Sequence, residues 1–420
     1  MTAIVQATMQ SGSAKGRPAP ERPSWPVTLF SHGFRPFFLA AGLYAALALA
    51  AWLAWIAIHA MGAVPAVMTI DEPPHLWHAH EMVFGFGAAA VGGFLLTAVP
   101  NWTGTDRLRG WPLAAIFALW LIGRCAMWMT AALPPGLVAG LDLVFLPVLA
   151  LLLSRKFGAR LKPQNLVFIV LVALMAAANV MYHLERLDLM EGGMTTGSRL
   201  GLGVLVLMIA IVGGRVVPGF TQNALTRRGI EDRLPVRYGM LDGAGHLLVA
   251  AVFAAYVFDA PPLATGALAL AGAAVNGLRL SLWRVTAVLD EPIVWVLHLA
   301  YGWLVLGLAL MAASLLADAG SEVAALHAFG TGAVGTMILA IMSRASLGHS
   351  GRPLVAPRPV VAAYVLISVA AALRAFGPDA LPGLYNEVML AAGAAWIAAF
   401  LLFSIVYAPI LVTPRKSPST

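Results

Sequence analysis

Histidine is the residue type in this sequence whose spacing most directly suggests chemistry. Of the ten histidines, His78 and His80 lie two residues apart beside Glu81, and His327 stands in another apolar stretch far along the chain. An imidazole ring can ligate haem iron, copper or zinc, and near neutral pH it can also carry a proton. These positions therefore predict either a metal-binding site or a proton relay.

The elements that hold these histidines are predicted to be membrane helices. Hydrophobic residues make up 60% and charged residues 11% of the 420 residues, whereas a soluble domain carries about 25% charged residues. Twelve apolar runs approach the roughly 20 residues needed to cross the hydrocarbon core. They lie at 37–61, 77–99, 111–131, 133–153, 164–184, 198–218, 239–259, 262–282, 291–314, 322–345, 358–376 and 386–411. We predict an all-α fold, a polytopic bundle of twelve transmembrane helices at 29–412, with a disordered cytoplasmic tail at 1–28 and a short cytoplasmic tail at 413–420.

Lysine and arginine are divided unevenly between the two sides of this bundle. Twenty-two of the 26 fall on the side that holds both termini, three (Arg186, Arg199 and Arg374) fall on the other side, and Arg124 lies within a span. Because cytoplasmic loops carry the excess of positive residues, both termini are predicted to be cytoplasmic. The net charge of +7 then reflects membrane topology. The expected surroundings are a lipid bilayer, and no nucleic-acid partner is expected.

His80 and His327 enter the membrane from the same, outer side. His80 lies about 4.5 Å and His327 about 7.5 Å beyond the start of its span, at the rise of a helix. Two imidazoles from different helices at one depth suit a bis-histidine haem in a helical bundle, and we predict these two as its axial ligands. His78 points about 200° away from His80 on a regular helix. It is the alternative ligand, with Glu81 as its carboxylate partner.

Small residues accompany both predicted haem ligands. A row spaced by four follows His80 along one helix face, and others surround His327, so we predict room there for a flat macrocycle. In the outer half of the third span, Arg124 is predicted to neutralise a haem propionate or Glu81. The small residues are Gly85, Ala89 and Gly93 on the first helix and Gly330, Thr331 and Gly335 on the other.

A second group of histidines lies towards the cytoplasmic side. His246 and His298 each lie about seven residues from the cytoplasmic edge of a span, and His32 and His349 flank the membrane. Imidazoles together with thioethers suit copper, so a separate inner metal site is predicted here. Asp242, four residues before His246, is positioned to accept its second ring proton. The alternative is a buried polar cluster that holds spans 7 and 9 together or carries protons.

A transporter is the second function that the sequence permits. Asp106, Arg107, Arg109 and Gly110 lie in the cytoplasmic loop between spans 2 and 3, and this segment resembles a motif of the major facilitator transporters. Arginine and glycine in a short cytoplasmic loop are also what the positive-inside rule produces. In a transporter or a metal-handling or haem-handling protein, the intramembrane histidines would relay protons.

Several segments together resemble the NnrS family, polytopic membrane proteins of bacteria that respond to nitric oxide. The segments are LFSHGFRPFF (29–38), HEMVFGF (80–86), GFLLTAVPNWTG (93–104), GRVVPGFTQNAL (214–225), HAFGTGAVGT (327–336) and SLGHSGR (346–352). The resemblance implies a haem- and copper-containing protein of the inner membrane, often accompanying denitrification. Nitric oxide would be its ligand or substrate, a b-type haem is expected, and a quinone or cytochrome is the expected kind of electron donor.

A weaker similarity connects the chain to the core subunit of haem–copper oxidases and nitric-oxide reductases. That subunit also has twelve spans, with haem-ligating histidines on spans 2 and 10. Here span 10 offers His327 before Phe329, one imidazole where that superfamily has two around a phenylalanine. Spans 6 and 7 contribute only His246 towards a copper cluster. The predicted function is to bind or reductively process nitric oxide at a His-ligated haem or metal site, without the usual binuclear centre.

Overall fold

The structure, a computed structural model, describes residues 24–63, 69–158 and 163–416. It contains twelve apolar helices, which we number α1 to α12. Eleven are long and apolar enough to cross a membrane, and the twelfth, α3, is a shorter apolar helix. The helices are α1 Phe34–Ala60, α2 Pro74–Thr103, α3 Trp111–Met127, α4 Pro135–Phe157, α5 Pro163–Arg186, α6 Gly193–Arg227, α7 Gly239–Val257, α8 Pro262–Ser281, α9 Pro292–Ala317, α10 Glu322–His349, α11 Arg358–Ala380 and α12 Tyr385–Val412.

This architecture confirms the predicted all-α, multi-pass membrane fold, and each helix coincides with one of the twelve apolar runs. Residues 1–23 and 417–420, which hold most of the two predicted tails, lie outside the described residues. A short helix, Trp25–Leu29, occupies the end of the predicted N-terminal tail.

The helix boundaries follow from residues with restricted backbone geometry. Proline occupies the first turn of α2, α4, α8 and α9, where its missing N–H costs nothing and its fixed φ suits a helix. At the start of α10, the Ser321 hydroxyl accepts a hydrogen bond from Ala324 N at 3.1 Å, as an N-cap does. Gly104 ends α2 with φ 68°, a left-handed conformation that glycine adopts without steric penalty.

Helix α2 lies at the centre of the bundle. In its most apolar 18-residue window 89% of the residues are buried, against 67% in α6 and α10 and 44% in α1. Helices α2, α6 and α10 are therefore the three central helices, and the others pack around them. The outer ends of α2 and α10 hold the histidines that the sequence singles out.

Helices α2 and α10 share an irregularity beside those histidines. The segment Pro74–His80 is α-helical, but Glu81–Gly87 is π-helical. Likewise Glu322–His327 is α-helical and Ala328–Gly335 is π-helical. Each π-helical segment thus begins directly after a histidine, His80 or His327. Such segments displace side chains from the α-helical register and are frequent at functional sites.

Candidate metal centre

His80 is fully buried at the outer end of α2, between two sets of oxygen atoms. Its Nδ1 lies 2.8 Å from Glu81 Oε1, and its Nε2 lies 2.9 Å from Asn179 Oδ1 and 3.3 Å from Asp142 Oδ2. A neutral ring has one N–H; donated from Nδ1 to the Glu81 carboxylate, it leaves Nε2 as the lone-pair nitrogen. A carboxylate that fixes the tautomer of an imidazole in this way is typical of metal-ligating histidines.

His183 and Asp142 complete a buried group of three possible ligands with His80. His183 Nε2 lies 2.9 Å from Asp142 Oδ2, and one ligand atom from each of the three residues lies within 4.8 Å of the others. His183 Nδ1 is buried without a hydrogen-bond partner in the described part of the chain. Two imidazoles and a carboxylate form a donor set for copper, zinc or iron.

Arg124 on α3 connects the two carboxylates of this site. Its Nη1 donates to Glu81 Oε1 at 2.6 Å, and its Nη2 donates to Asp142. The Tyr44 hydroxyl also donates to Glu81. The sequence predicted either Glu81 or a haem propionate as the partner of Arg124, and the structure shows the pair with Glu81.

The charges of this buried group do not balance. Glu81 and Asp142 carry two negative charges when ionised, and Arg124 carries one positive charge. The neighbouring Arg186 is paired with Glu72, at 2.6 Å, and adds no net charge. An uncompensated charge in a buried site is costly, so a proton or a metal cation must supply the missing positive charge.

The contacts of His80 Nε2 indicate where that positive charge belongs. Asn179 Nδ2 donates to Asp142 Oδ2 at 2.8 Å, and this bond turns Asn179 Oδ1 towards His80. In the tautomer with Nδ1–H, the lone pair of Nε2 faces Asn179 Oδ1 and Asp142 Oδ2; in the other tautomer, the lone pair of Nδ1 faces Glu81 Oε1. Either neutral tautomer leaves a lone pair pointing at an oxygen atom, and only a second proton on the ring or a bound cation stabilises that contact.

Three members of this site were not predicted from the sequence: Asp142 on α4, and Asn179 and His183 on α5. Two signals for them were present. Asn179 and His183 are four residues apart and thus share one helix face. Asp142 is the single acidic residue of its span, and an ionisable residue at membrane depth marks a functional position by default.

His327 lies apart from this centre, at the junction of the α-helical and π-helical segments of α10. Its Nδ1–H donates to Val323 O at 2.8 Å, which leaves Nε2 as the lone-pair nitrogen. His78 and Arg374 lie within electrostatic range of the ring. A Cβ on Gly330, one turn further along, would meet nothing closer than Leu202 Cδ1 at 3.9 Å, so there is room at that position. The predicted room does not extend to Gly335, because a Cβ there would lie 2.5 Å from Trp396 Cζ3.

His78 faces α1 and the His327 region, on the opposite side of α2 from His80. Its ring stacks on Trp52 with the centroids 5.1 Å apart and the planes 11° apart. Its Nδ1 is buried and has no hydrogen-bond partner in the described ranges. Because α2 begins at Pro74, His78 and His80 belong to one continuous helix and cannot ligate the same metal ion.

The predicted pairing of His80 with His327 across one haem does not follow from these contacts. The two rings share no hydrogen-bond partner among the described residues. His80 is surrounded by α3, α4 and α5, whereas His327 has His78 and Arg374 near it. The predicted room for a macrocycle beside the small-residue row on α2 is wrong, because aromatic rings fill it: a Cβ on Gly85 would lie 2.7 Å from Tyr44 Cε1, and one on Gly93 would lie 2.9 Å from Phe38 Cδ1.

The inner histidines are dispersed over separate contacts. His246 Nε2 lies 3.1 Å from Arg279 Nη2 and 3.0 Å from Ala210 O. His298 Nε2 lies 2.8 Å from Thr221 Oγ1, and His349 lies against the ring of Phe34. None of them belongs to a group of three or more possible ligands within the described residues.

Asp242 does not accept the ring proton of His246, contrary to the prediction. Its Oδ1 accepts from Arg279 Nη2 at 2.9 Å, and its Oδ2 accepts from Arg237 Nη2 at 2.8 Å. The reason is electrostatic: a guanidinium that is 1% exposed needs a carboxylate partner more strongly than a neutral imidazole does. Arg279, Asp242 and Tyr301 therefore form a buried polar cluster, which is the predicted alternative to an inner metal site.

Comparison with known proteins agrees with the resemblance seen in the sequence. No curated protein matches the chain significantly. The model of the NnrS family, described as NnrS protein, matches residues 28–415. This match includes all twelve helices and every residue of the candidate metal centre. The chain therefore belongs to the NnrS family.

Proposed function

We propose that this protein is a haem- and copper-containing protein of the bacterial inner membrane that binds nitric oxide or processes it reductively. The observation that carries the proposal is the buried group of His80, Asp142 and His183, with its one excess negative charge. A bound metal cation supplies the positive charge that the group lacks. Membership of the NnrS family supports the assignment of that chemistry to the nitric-oxide response.

Copper is assigned to the centre formed by His80, Asp142 and His183. The donor set supports this, since imidazole and carboxylate ligands suit Cu(II). The carboxylate of Glu81 orients His80, and Arg124 holds both carboxylates in place. Copper at this position supplies a redox-active cation, and the chain around it excludes water, because the side chains of His80, Glu81 and Asp142 have no exposed surface.

Haem is assigned to His327, with His78 as the second ligand. Both histidines offer a ring nitrogen without a protein partner in the described part of the chain, whereas both nitrogens of His80 face oxygen atoms. Arg374 lies near both rings and is the cation that would pair with a propionate. Haem held by these two histidines would supply an iron centre that can bind nitric oxide.

Reductive processing requires protons as well as electrons. Tyr44, Arg124 and His80 each form a hydrogen bond with the Glu81 carboxylate. Glu81 is therefore the group that can hold a proton next to the metal centre. The electrons would come from a quinone or a cytochrome.

An optical and elemental analysis of the purified protein tests the proposal. We expect a Soret band that shifts when nitric oxide is added to the reduced protein, together with one copper per chain. His183→Ala should lower the copper content, and His246→Ala, on the inner cluster, should leave it unchanged. Protein that contains neither haem nor a transition metal would overturn the proposal.

A proton-coupled transporter is the second candidate. It is favoured by the same charge count, because a proton on His80 or Glu81 balances the excess charge as well as a metal ion does. In that case the purified protein would be colourless and free of metal. The elemental analysis therefore separates the two functions.

A further inference from the structure

A cavity of about 70 Å³ lies within the bundle between α2, α6 and α10, with Phe38 of α1 at its edge. The side chains that line it are all apolar. Each of the three central helices contributes to the wall, including Ala90 and Val91 from α2, Met208 and Val212 from α6, and Val334 and Met337 from α10. The cavity contains no part of the metal centre or of the inner polar cluster.

The cavity lies directly inward of the two π-helical segments. Ala90 is ten residues beyond His80, and Met337 is ten residues beyond His327, which at the helical rise is about 15 Å from each histidine. Leu205, another lining residue, packs against the π-helical segment of α2, since a Cβ on Gly87 would lie 2.8 Å from its Cδ1. The cavity thus adjoins the helices that carry both histidines.

One side of the cavity is bordered by residues that reach the surface of the bundle. Phe94, Val212, Ile338 and Ile341 line the cavity and are only half-buried. At this depth the surface of the bundle faces the hydrocarbon core of the bilayer. A molecule dissolved in the hydrocarbon can therefore approach the cavity laterally.

The size and lining of the cavity select its occupant. A water-sized molecule needs about 10–15 Å³ of such space, so the volume is ample for one small molecule, while a whole acyl chain is far longer than the cavity. Water requires two to four polar partners and is not held in an apolar cavity, whereas xenon and other small apolar molecules are. Three methionines in the wall, Met208, Met337 and Met342, have flexible thioether side chains that adapt to a guest.

We propose that this cavity binds a small uncharged molecule of diatomic size, which it takes from the hydrocarbon core and holds beside the two helices that carry His80 and His327. The inference rests on the proposed function in one respect: the proposed function identifies the molecule bound in the cavity as nitric oxide. The binding property itself depends only on the geometry of the cavity. It can therefore be tested without haem, copper or nitric oxide.

Xenon is the probe for this test. Purified protein in lipid nanodiscs is equilibrated with xenon, and binding is followed by ¹²⁹Xe NMR and by the site of the bound atom in a xenon-pressurised crystal. We expect one xenon atom between α2, α6 and α10. Val212→Phe should fill the cavity and weaken xenon binding by about 10-fold or more, equivalent to about 1.4 kcal/mol.

Val216→Phe is the matched control, because Val216 is also half-buried on α6 but does not line the cavity. It should bind xenon as the parent protein does. Absence of xenon from the cavity, an acyl chain in it, or equal binding by Val212→Phe would each overturn the inference. If xenon binds but the protein lacks haem and metal, the cavity stands and the proposed function fails. If nitric oxide shifts the Soret band but no xenon binds, only the cavity inference fails.

Discussion

His78 and His80 are separated by a single residue, yet their rings point to opposite sides of the same helix. The His78 ring stacks on Trp52 of α1, whereas His80 Nε2 lies 2.9 Å from Asn179 Oδ1 of α5. An α-helix imposes this divergence, since two steps turn the side chain by about 200°. One turn of α2 therefore contributes to both proposed sites, the candidate metal centre towards α5 through His80 and the proposed haem site towards α10 through His78.

The carboxylate that orients His80 should control metal affinity. Replacing Glu81 with Gln keeps the shape but removes the excess negative charge and weakens the hold on the His80 ring. Loss of such a carboxylate typically costs about 10–100-fold in metal affinity, and we expect a decrease of that size in competition titrations with a chelator. Glu72→Gln is the control, because Glu72 is also buried but pairs with Arg186. Equal metal affinities of the parent protein and Glu81→Gln would show that His80 does not ligate a metal ion.

The two sites should respond separately to histidine substitutions. His327→Ala and His78→Ala should shift the Soret band or lower the haem content, because each removes a proposed axial ligand, while copper stays bound. His80→Ala should lower the copper content and leave the Soret band in place. If His80→Ala shifts the Soret band and His78→Ala does not, the haem ligands are His80 and His327, as the sequence predicted.

The fold was predictable because one physical requirement dominates it. A helix must present about 20 apolar residues to the hydrocarbon, and Pro74, Pro135 and Pro262 begin helices at the positions where the apolar runs start. The helix ends were less predictable. The apolar run at 198–218 becomes α6, Gly193–Arg227, because polar residues extend a helix beyond the membrane at no cost.

The candidate site was only partly predictable, because its members come from four helices. Periodicity places His80 and Glu81 on α2, but nothing in a single sequence states that α4 and α5 bring Asp142 and His183 to them. The small-residue row shows the same limit. A row of glycines indicates that something approaches closely, and here Gly85 and Gly93 admit the rings of Tyr44 and Phe38 rather than a cofactor.

Arg124 should be essential to the stability of the outer half of the bundle. Arg124→Ala leaves Glu81 and Asp142 buried without their common cation, and breaking a buried ion pair by removing one partner costs about 3–5 kcal/mol. The expected loss can be measured as the free energy of unfolding in mixed detergent micelles. Arg228→Ala serves as the control. Its pair with Asp290 is exposed at 39% and 64% of the two side chains, and such pairs contribute about 0–1 kcal/mol.

Both termini should face the cytoplasm. Lysine and arginine divide 22 to three between the two sides, and twelve helices return the chain to the side where it started. A reporter that is active only in the periplasm should be inactive when fused after Thr420 and active when fused in the loop between α5 and α6, which follows Arg186. Periplasmic activity of the C-terminal fusion would mean that one of the twelve helices does not cross the membrane, and α3, with 17 residues, would be the first to examine.

Acidification should weaken the cytoplasmic end of the fold through His32. Outside the membrane helices, His32 Nε2 accepts a hydrogen bond from Arg107 at 2.8 Å, and its Nδ1–H donates to Ser31 Oγ at 3.0 Å. The bond from Arg107 requires the neutral ring, because a protonated Nε2 cannot accept a hydrogen bond. Burial, together with the positive charges of Arg107 and Arg35, lowers the pKa of His32 from 6.5 to about 4.

The sign of the pH effect follows from this shift. Between pH 6.5 and 4 the unfolded chain binds a proton at His32 that the folded chain does not, so the contribution of His32 to stability is complete above pH 6.5 and is lost as the pH falls towards 4. His32→Gln, with a neutral side chain that does not titrate, should give a shallower dependence of the unfolding free energy on pH over this interval. His59→Gln is the control, because His59 is exposed at the opposite end of α1. If the unfolding free energy of His32→Gln and of the parent protein depends on pH in the same way, the neutral ring of His32 does not stabilise the fold through its bond with Arg107.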